Sequence, residues 1–249
     1  MDINDLCNKL YYHANNMPER GVIINVNIYT TITGAIDNVI EIKKTAESIL
    51  KKIPYTIHAD GSIGGILMPI MKPFQQKVVN YFCDLGINTM SISTQKFLGS
   101  VISGIAMVKS DFLKSAFNND TIEIDYIGNI IDNTIACARS GLNILLIHNA
   151  LHALNVGIDN SFIRKIYYNN LRNASYLYTE LSKLSSPSEV LLLPHSFNVV
   201  FNRPSKELMV KYQLMPAFTN KAVICVLQNV TLGLIEEFLK DYKRALSIK

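Results

Sequence analysis

Charge of one sign is scarce in this chain: Lys and Arg number 24 and Asp and Glu 20, a formal net charge of +4 over 249 residues. So small and dispersed an excess excludes the basic stripe of a nucleic-acid binder. No block of like charges is long enough for a polybasic tail. Charged residues make up 18% of the chain against 49% hydrophobic, the reverse of the composition that keeps a polypeptide disordered. Long apolar runs are missing too. None approaches the roughly 18 residues of a membrane-crossing helix, and the longest, such as Val101 to Val108, are strand-sized. Cysteine is sparse, and Cys7, Cys83, Cys137 and Cys225 are scattered without metal-ligand spacing, so they read as reduced thiols. The opening Met1-Asp2-Ile3-Asn4-Asp5 is acidic and polar, unlike a secretory signal. These absences lead to the expectation of a soluble cytoplasmic protein with no nucleic-acid, membrane or metal partner. Asn173-Ala-Ser175 and Asn229-Val-Thr231 match the glycosylation pattern but mean little without a secretory route.

What is present is an alternation of two periodicities. Asp2 to Asn15 carries apolar residues at helical spacing, and Val22 to Tyr29 is a β-branched run suited to a strand buried on both faces. A helix follows over Ile36 to Lys52, then a strand at Tyr55 to Ala59, helical Gln75 to Asp84, and strands at Thr89 to Ser93 and Gly104 to Lys109. Strand–helix alternation over this length implies right-handed crossovers and a largely parallel sheet. From Asp120 the character changes. Helical patterns over Asp125 to Ala136, Asn143 to Asn155 and Ser161 to Leu184 precede strands at Val190 to Leu193, Asn198 to Asn202 and Ala222 to Val226, and a closing helix at Leu232 to Leu246. With 249 residues there is room for two domains. The boundary falls near residues 155–160, dividing a partial large domain with linking helices (1–157) from a small α+β domain (158–249).

In open parallel sheets ligands sit outside the carboxyl ends of the strands. Here three successive strand ends carry Thr30-Thr31, His58-Ala-Asp60 and Ser93-Thr-Gln-Lys96, bringing hydroxyls, a carboxylate and an amine to one edge. A carboxylate and an amine one strand apart suit a flat cofactor held by an acidic partner at one end and an amine nucleophile at the other. Pyridoxal 5′-phosphate is bound in that way. Each residue also has a plainer reading: Lys96 as a surface lysine, Asp60 as the cap of its turn and Thr31 as a turn residue. His148 and His152 are spaced i, i+4 but lack a third ligand, and the Tyr167, Tyr168, Tyr176 and Tyr178 cluster reads as packing.

Thr30-Thr31-Ile-Thr-Gly34-Ala-Ile-Asp37, His58-Ala-Asp60 and Ser91-Ile-Ser93-Thr-Gln-Lys96-Phe-Leu-Gly99 resemble the core motifs of the group II pyridoxal-phosphate amino-acid decarboxylases, closest to the histidine and serine decarboxylase branch. Similarity extends through Tyr126-Ile-Gly, Ala138-Arg139-Ser-Gly141, Val199-Val-Phe-x-Arg203-Pro204, Tyr212-Gln213-Leu214 and Gln228-Asn229-Val230-Thr231, in the same order along nearly the whole chain. The resemblance implies an α/β fold of the type I pyridoxal-phosphate transferase class and a dimer with active sites at the subunit interface. It implies Lys96 as the Schiff-base lysine and Asp60 as the partner of the pyridine nitrogen. Thr31 and Ser62 would lie beside the ring and His58 behind Asp60. Ser93 and Gln95 would lie near the phosphate or the lysine linkage, and Arg139 in a loop on the substrate side.

Three features depart from that pattern. Enzymes of this kind carry roughly a hundred or more residues ahead of the first motif, a domain-scale piece. Gln95 replaces the histidine before the lysine and Gly61-Ser62 a small alanine pair, and Ser140-Gly141-Leu142 stands where the branch has Asn-Gly-His. The loss of the two histidines removes polar equipment of the sort that makes strong charge-assisted bonds. The chain therefore reads as the larger part of a carboxy-lyase acting on histidine or a serine-like amino acid, the rest lying on another chain or outside this sequence. It also reads as an inactive relative acting in dimerisation or partner binding, or as an intact enzyme of shorter design. A shortened sheet would leave a strand edge and an apolar face open, so a homodimer or a partner chain is expected.

Overall fold

The computed structural model describes residues 1–71, 81–111, 122–124, 130–132, 140–157, 159–185 and 187–247. Helix α1 (Ile3–Asn16) begins at Asp2, whose carboxylate accepts the Asn4 and Asp5 amides at 2.8 and 3.0 Å and so satisfies two of the N–H groups a helix start leaves open. Leu6 and Leu10 form its buried edge. Strand β1 (Val22–Asn27), helix α2 (Val39–Leu50), strand β2 (Tyr55–Asp60), helix α3 (Tyr81–Leu85), strand β3 (Thr89–Ser93) and strand β4 (Gly104–Val108) follow. The four strands lie in the order β1-β2-β3-β4. The first three are parallel, and β4 returns antiparallel to β3.

The period of two decides which side of this sheet is core. Ile24 and Val26, Ile57 and Ala59, and Met90 and Ile92 are buried on one face. The alternate residues Asn27, His58, Asp60, Thr89, Ser91 and Ser93 are half-buried on the other. Register keeps the polar set together: Asn27 pairs with Asp60, His58 with Thr89, and Asp60 with Ser91. Strand β1 is therefore buried on one face and not two, because Asn25 alternates with its core residues and Ile23 is 78% exposed. Buried Asp37 ties the end of β1 to the start of α2. Its Oδ2 accepts the Asn27 amide at 2.7 Å and its own amide donates to the Asn27 carbonyl at 2.9 Å.

The helix expected over Asp125 to Ala136 is not formed where the chain is described. Strand β5 (Ile122–Ile124) pairs antiparallel with strand β6 (Ile130–Asp132). Ile122, Ile124, Ile130 and Ile131 are β-branched, a type that loses side-chain freedom in a helix and fits a pleated surface. Helix α4 (Gly141–Ala153) has no buried residue, and Leu142, Ile144 and Leu145 are exposed on it.

Helix α5 (Ser161–Leu184) runs as the sequence pattern predicts, burying Ile163, Tyr167, Asn170, Ala174, Leu177 and Leu181 along one stripe. Strand β7 (Asn198–Asn202), helix α6 (Lys206–Lys211), strand β8 (Met215–Ala217), strand β9 (Lys221–Cys225) and helix α7 (Leu232–Ser247) complete the chain. The sheet order is β7-β9-β8, all antiparallel. Phe201 of β7 meets Phe238 and Tyr242 of α7 edge-on, with ring centroids 5.6 Å apart. The expected strand at Val190 to Leu193 reduces to a single bridge between Leu191 and Val200.

Contacts group the chain into two units: Met1–Asn27, Asp37–Ile66 and Gln76–Ala153 in the first, and Ile28–Ile36, Leu67–Gln75 and Leu154–Lys249 in the second. Tyr29, in the second, has a left-handed backbone (φ 82°). Its buried ring stacks on Phe197 at 4.5 Å, and its hydroxyl donates to Asn198 Oδ1 and accepts the Phe197 amide, each at 2.9 Å. Among the described residues no helix is long and apolar enough to cross a membrane.

Candidate active site

The first unit gathers most of the expected site residues on the polar face of its sheet. Strand β2 ends at Asp60, and the chain turns at Gly61. The Gly61 amide donates to the Ser91 carbonyl of β3 at 2.9 Å, and a Cβ on Gly61 would come within 2.9 Å of the Gly65 Cα. The turn is thereby held against β3 with no space for a larger residue. It presents Ser62, whose amide and hydroxyl donate to Asp60 Oδ1 at 3.0 and 2.5 Å.

These bonds decide the charge state of Asp60. Burial pushes its carboxyl up. The Ser62 hydroxyl and amide, then the charges of Lys96 and His58, pull it down, and the balance holds it below the usual 3.8. The anion is the favoured form, and the Lys96 ammonium is close enough to act on it. Both its hydrogen bonds fall on Oδ1, leaving Oδ2 without a hydrogen-bond partner among the described residues. His58 is fixed from the next strand: its Nδ1 is 2.7 Å from Thr89 Oγ1, and its Nε2 is 3.5 Å from Ser91 Oγ.

Lys96 follows the end of β3 on a tightly closed loop. Thr94, wholly buried, donates its hydroxyl to the carbonyls of Val101 and Ser103 at 2.7 and 3.0 Å. Its amide donates to Ser103 and its carbonyl accepts Ser100. Phe97 and Leu98 are buried beyond it while Lys96 itself is half-buried, so the loop is anchored on both sides of the amine. Ser93 donates its amide to the Ser62 carbonyl at 3.2 Å, joining the two strand-end turns. The Gln95 side-chain oxygen is buried without a hydrogen-bond partner.

Asp60, His58, Ser62, Ser93, Gln95 and Lys96 thus share the first unit. Thr31 belongs to the second, where its carbonyl accepts the Asn198 side-chain amide at 2.8 Å. Arg139 lies outside the described residues. Thr89 and Thr94 were not singled out from the sequence. Thr89 would have been reachable from the strand register opposite His58. Thr94 carried no signal beyond its place in the motif. Among the described residues no group of three or more His, Cys, Asp or Glu is placed to hold a metal ion.

No family model matches the chain. Curated relatives do. The histidine decarboxylase of Klebsiella aerogenes is 29% identical over 243 residues, covering 97% of this chain and 59% of that protein. Serine decarboxylase 3 of Oryza sativa subsp. japonica is 29% identical over 246 residues, covering 98% and 51%. The chain spans between half and three-fifths of the length of these relatives. Among solved structures, the L-methionine decarboxylase of Streptomyces sp. 590 superposes with a TM-score of 0.77 at 18% identity, covering 99% of this chain and 58% of that one. The sphingosine-1-phosphate lyase of Burkholderia pseudomallei gives 0.73 at 16% identity, covering 99% and 55%. The structural matches speak to the fold and the sequence matches to kinship. The chain is a relative of the histidine and serine decarboxylases, built on the type I fold of the pyridoxal-phosphate-dependent decarboxylases.

Proposed function

We propose that this chain holds pyridoxal 5′-phosphate on Lys96 and serves the decarboxylation of an L-amino acid of the histidine or serine type to its amine. The observation that supports it most is an ionised carboxylate and an amine at the ends of neighbouring parallel strands, the charge of the second helping to hold the first ionised.

The residues present suit that group. Asp60 is kept anionic and has Oδ2 left over for a ring N–H. Gln95 keeps a buried amide oxygen with no partner. Ser62 and Ser93 add donors on the same face, and Thr31 is a further candidate for the ring. When bound, pyridoxal phosphate supplies an aldehyde for an amine to engage and a ring that takes up the electron pair left as the α-carbon loses carbon dioxide.

The remaining work falls to side chains of this protein. Asp60 would pair with the ring nitrogen, and His58, braced by Thr89, would steady Asp60. Lys96 would hold the cofactor through Nζ, and the same amine would be available to move a proton at the substrate's α-carbon. Arg139 is the candidate on the substrate side. Residues 1–157 serve in this reading as part of the cofactor domain and 158–249 as the small domain, in a homodimer or together with a chain that supplies the remainder of the relatives' length.

A silent, partner-binding relative is the rival reading, and it rests on Gln95 and Leu142 standing where the enzymes of this likeness carry histidine. One experiment separates the two. Purified chain is mixed with pyridoxal phosphate, followed by absorbance at the visible edge, then reduced with borohydride and mapped by mass spectrometry. Uptake with label on Lys96, abolished in Lys96→Ala, is the expected result. An unchanged spectrum with Lys96 intact overturns the proposal and favours the silent relative.

A further inference from the structure

Strand β1 ends the first unit's sheet on one side, and nothing in its sequence guards that edge. Natural edge strands are kept from pairing with other chains by a charge, a proline, a bulge or a covering element. Val22–Asn27 carries no charged residue, no proline and no glycine. Among the described residues it neighbours β2 alone. Ile23 is 78% exposed, and Asn25 on the same face is exposed too.

A parallel ladder uses alternate residues of a strand, each sending its amide and its carbonyl to the same side. Val22 donates to the Pro54 carbonyl at 2.9 Å, so Val22, Ile24 and Val26 face β2, and Ile23, Asn25 and Asn27 face outward. Asn27 bears out the alternation, since Asp37 takes both its amide and its carbonyl. The amides and carbonyls of Ile23 and Asn25 have no hydrogen-bond partner among the described residues. The open stretch is therefore bounded, because Asp37, itself paired with the Met1 amine, closes it at Asn27.

We propose that this edge is an interface between two copies of the chain, β1 pairing antiparallel with its own counterpart across a two-fold axis at Ile24. In that register Ile23 faces the partner's Asn25 and Asn25 faces the partner's Ile23, and each pair exchanges both of its main-chain bonds. Every open group is satisfied, none outside β1 is needed, and the contact closes on itself as a two-fold contact must. Centring the pairing on Asn25 instead would set Ile23 against Asn27, whose outward groups Asp37 already holds. Facing residues share a side of the sheet, so Ile24 stays on the core side in both copies and Ile23 packs on an asparagine in place of water. Charge favours the same direction. Exposed Arg20, Lys51 and Lys52 outnumber Glu19 near the amino end of β1, whereas Asp2 and Asp37 outnumber the Met1 amine at its carboxyl end. An antiparallel copy sets each end against its opposite, and a parallel one would set like against like.

The test is sedimentation velocity of the full chain over a concentration series, with amide hydrogen exchange followed on the same samples. A reversible dimer is expected, its Ile23 and Asn25 amides exchanging more slowly as concentration rises. Ile23→Lys places a charge on the edge, and Asn25→Pro removes an outward amide that β2 does not use. Each should weaken the dimer by roughly tenfold or more. Ile23→Lys alters a side chain already 78% exposed, so it decides the matter even where Asn25→Pro disturbs the strand. A chain that stays monomeric, a dimer undiminished in Ile23→Lys, or assembly that grows beyond two copies overturns the interface. The readout needs neither cofactor nor turnover and uses neither Lys96 nor Asp60, so it stands or falls apart from the decarboxylase reading.

Discussion

The Ser62 hydroxyl donates to Asp60 Oδ1 at 2.5 Å, and the Ser62 amide reaches the same oxygen at 3.0 Å. Although burial is the largest single influence and pushes the Asp60 carboxyl up, these bonds together with Lys96 and His58 hold it below 3.8. With a folded value lower than the unfolded one, the stabilisation is complete above the ordinary carboxylate range and fades as pH falls through the depressed value. A carbon-detected NMR titration should place the Asp60 midpoint below 3.8. Ser62→Ala should move it upward. An unmoved midpoint would show that the serine does not set this charge.

Thr94→Val tests what anchors the lysine loop. The substitution keeps the shape but leaves the Val101 carbonyl without its donor in a buried place. A cost of about 1–3 kcal/mol in urea unfolding is expected. Faster amide exchange confined to residues 95–103 should accompany it. Equal stability with unchanged exchange would mean the loop is held by Phe97 and Leu98 alone.

Gly34 has a left-handed backbone (φ 67°), and a Cβ there would lie 2.8 Å from Tyr29 Cζ and 2.9 Å from Ser196 Cβ. Gly34→Ala should cost roughly 2–4 kcal/mol, adding backbone strain to overpacking. Tyr29→Phe keeps the ring but strips the Phe197 amide and the Asn198 side-chain oxygen Oδ1 of their partner, and a loss of about 1–3 kcal/mol follows. Denaturant melts of both variants check the pair. Should Gly34→Ala prove neutral, the loop is looser than its contacts imply.

Burial, with a smaller push from Tyr168, raises Tyr167 to about 12, and burial also raises Tyr29 well above 10. A raised folded value means the stabilisation is whole below the unfolded 10 and is lost as pH climbs through the folded one. Unfolding free energy should therefore fall between pH 10 and about 12. Tyr167→Phe should flatten part of that slope, read from denaturant curves at stepped pH. A slope the same in both proteins would assign alkaline instability elsewhere.

Much of this arrangement is legible in the residues alone. The ends of β3 and α5 agree with the periodicity of Thr89 to Ser93 and Ser161 to Leu184, because each pattern is strong and sharply bounded. The proposed pairing of Asp60 with Lys96 is a statement about strand ends, and strand ends follow from turn residues such as Gly61. Other features need tertiary contacts. Strand β6 falls inside the helix expected over Asp125 to Ala136, because isoleucines at 127, 130 and 131 satisfy helical and extended spacing alike. Strand β8 escaped notice because Pro216 lacks an amide donor and argues against a strand, yet Met215–Ala217 sits at the sheet edge, where that donor is dispensable. Thr31 was grouped with the other strand-end residues by analogy of position, whereas its immediate bonding is to Asn198.

Because Thr94 pins the backbone two residues before it, the Lys96 amine finds its travel chiefly in rotation within a four-carbon tether on that post. Tether length then acts as a ruler for whatever the nitrogen touches, and an amine one methylene shorter at this place would fall short of the same target.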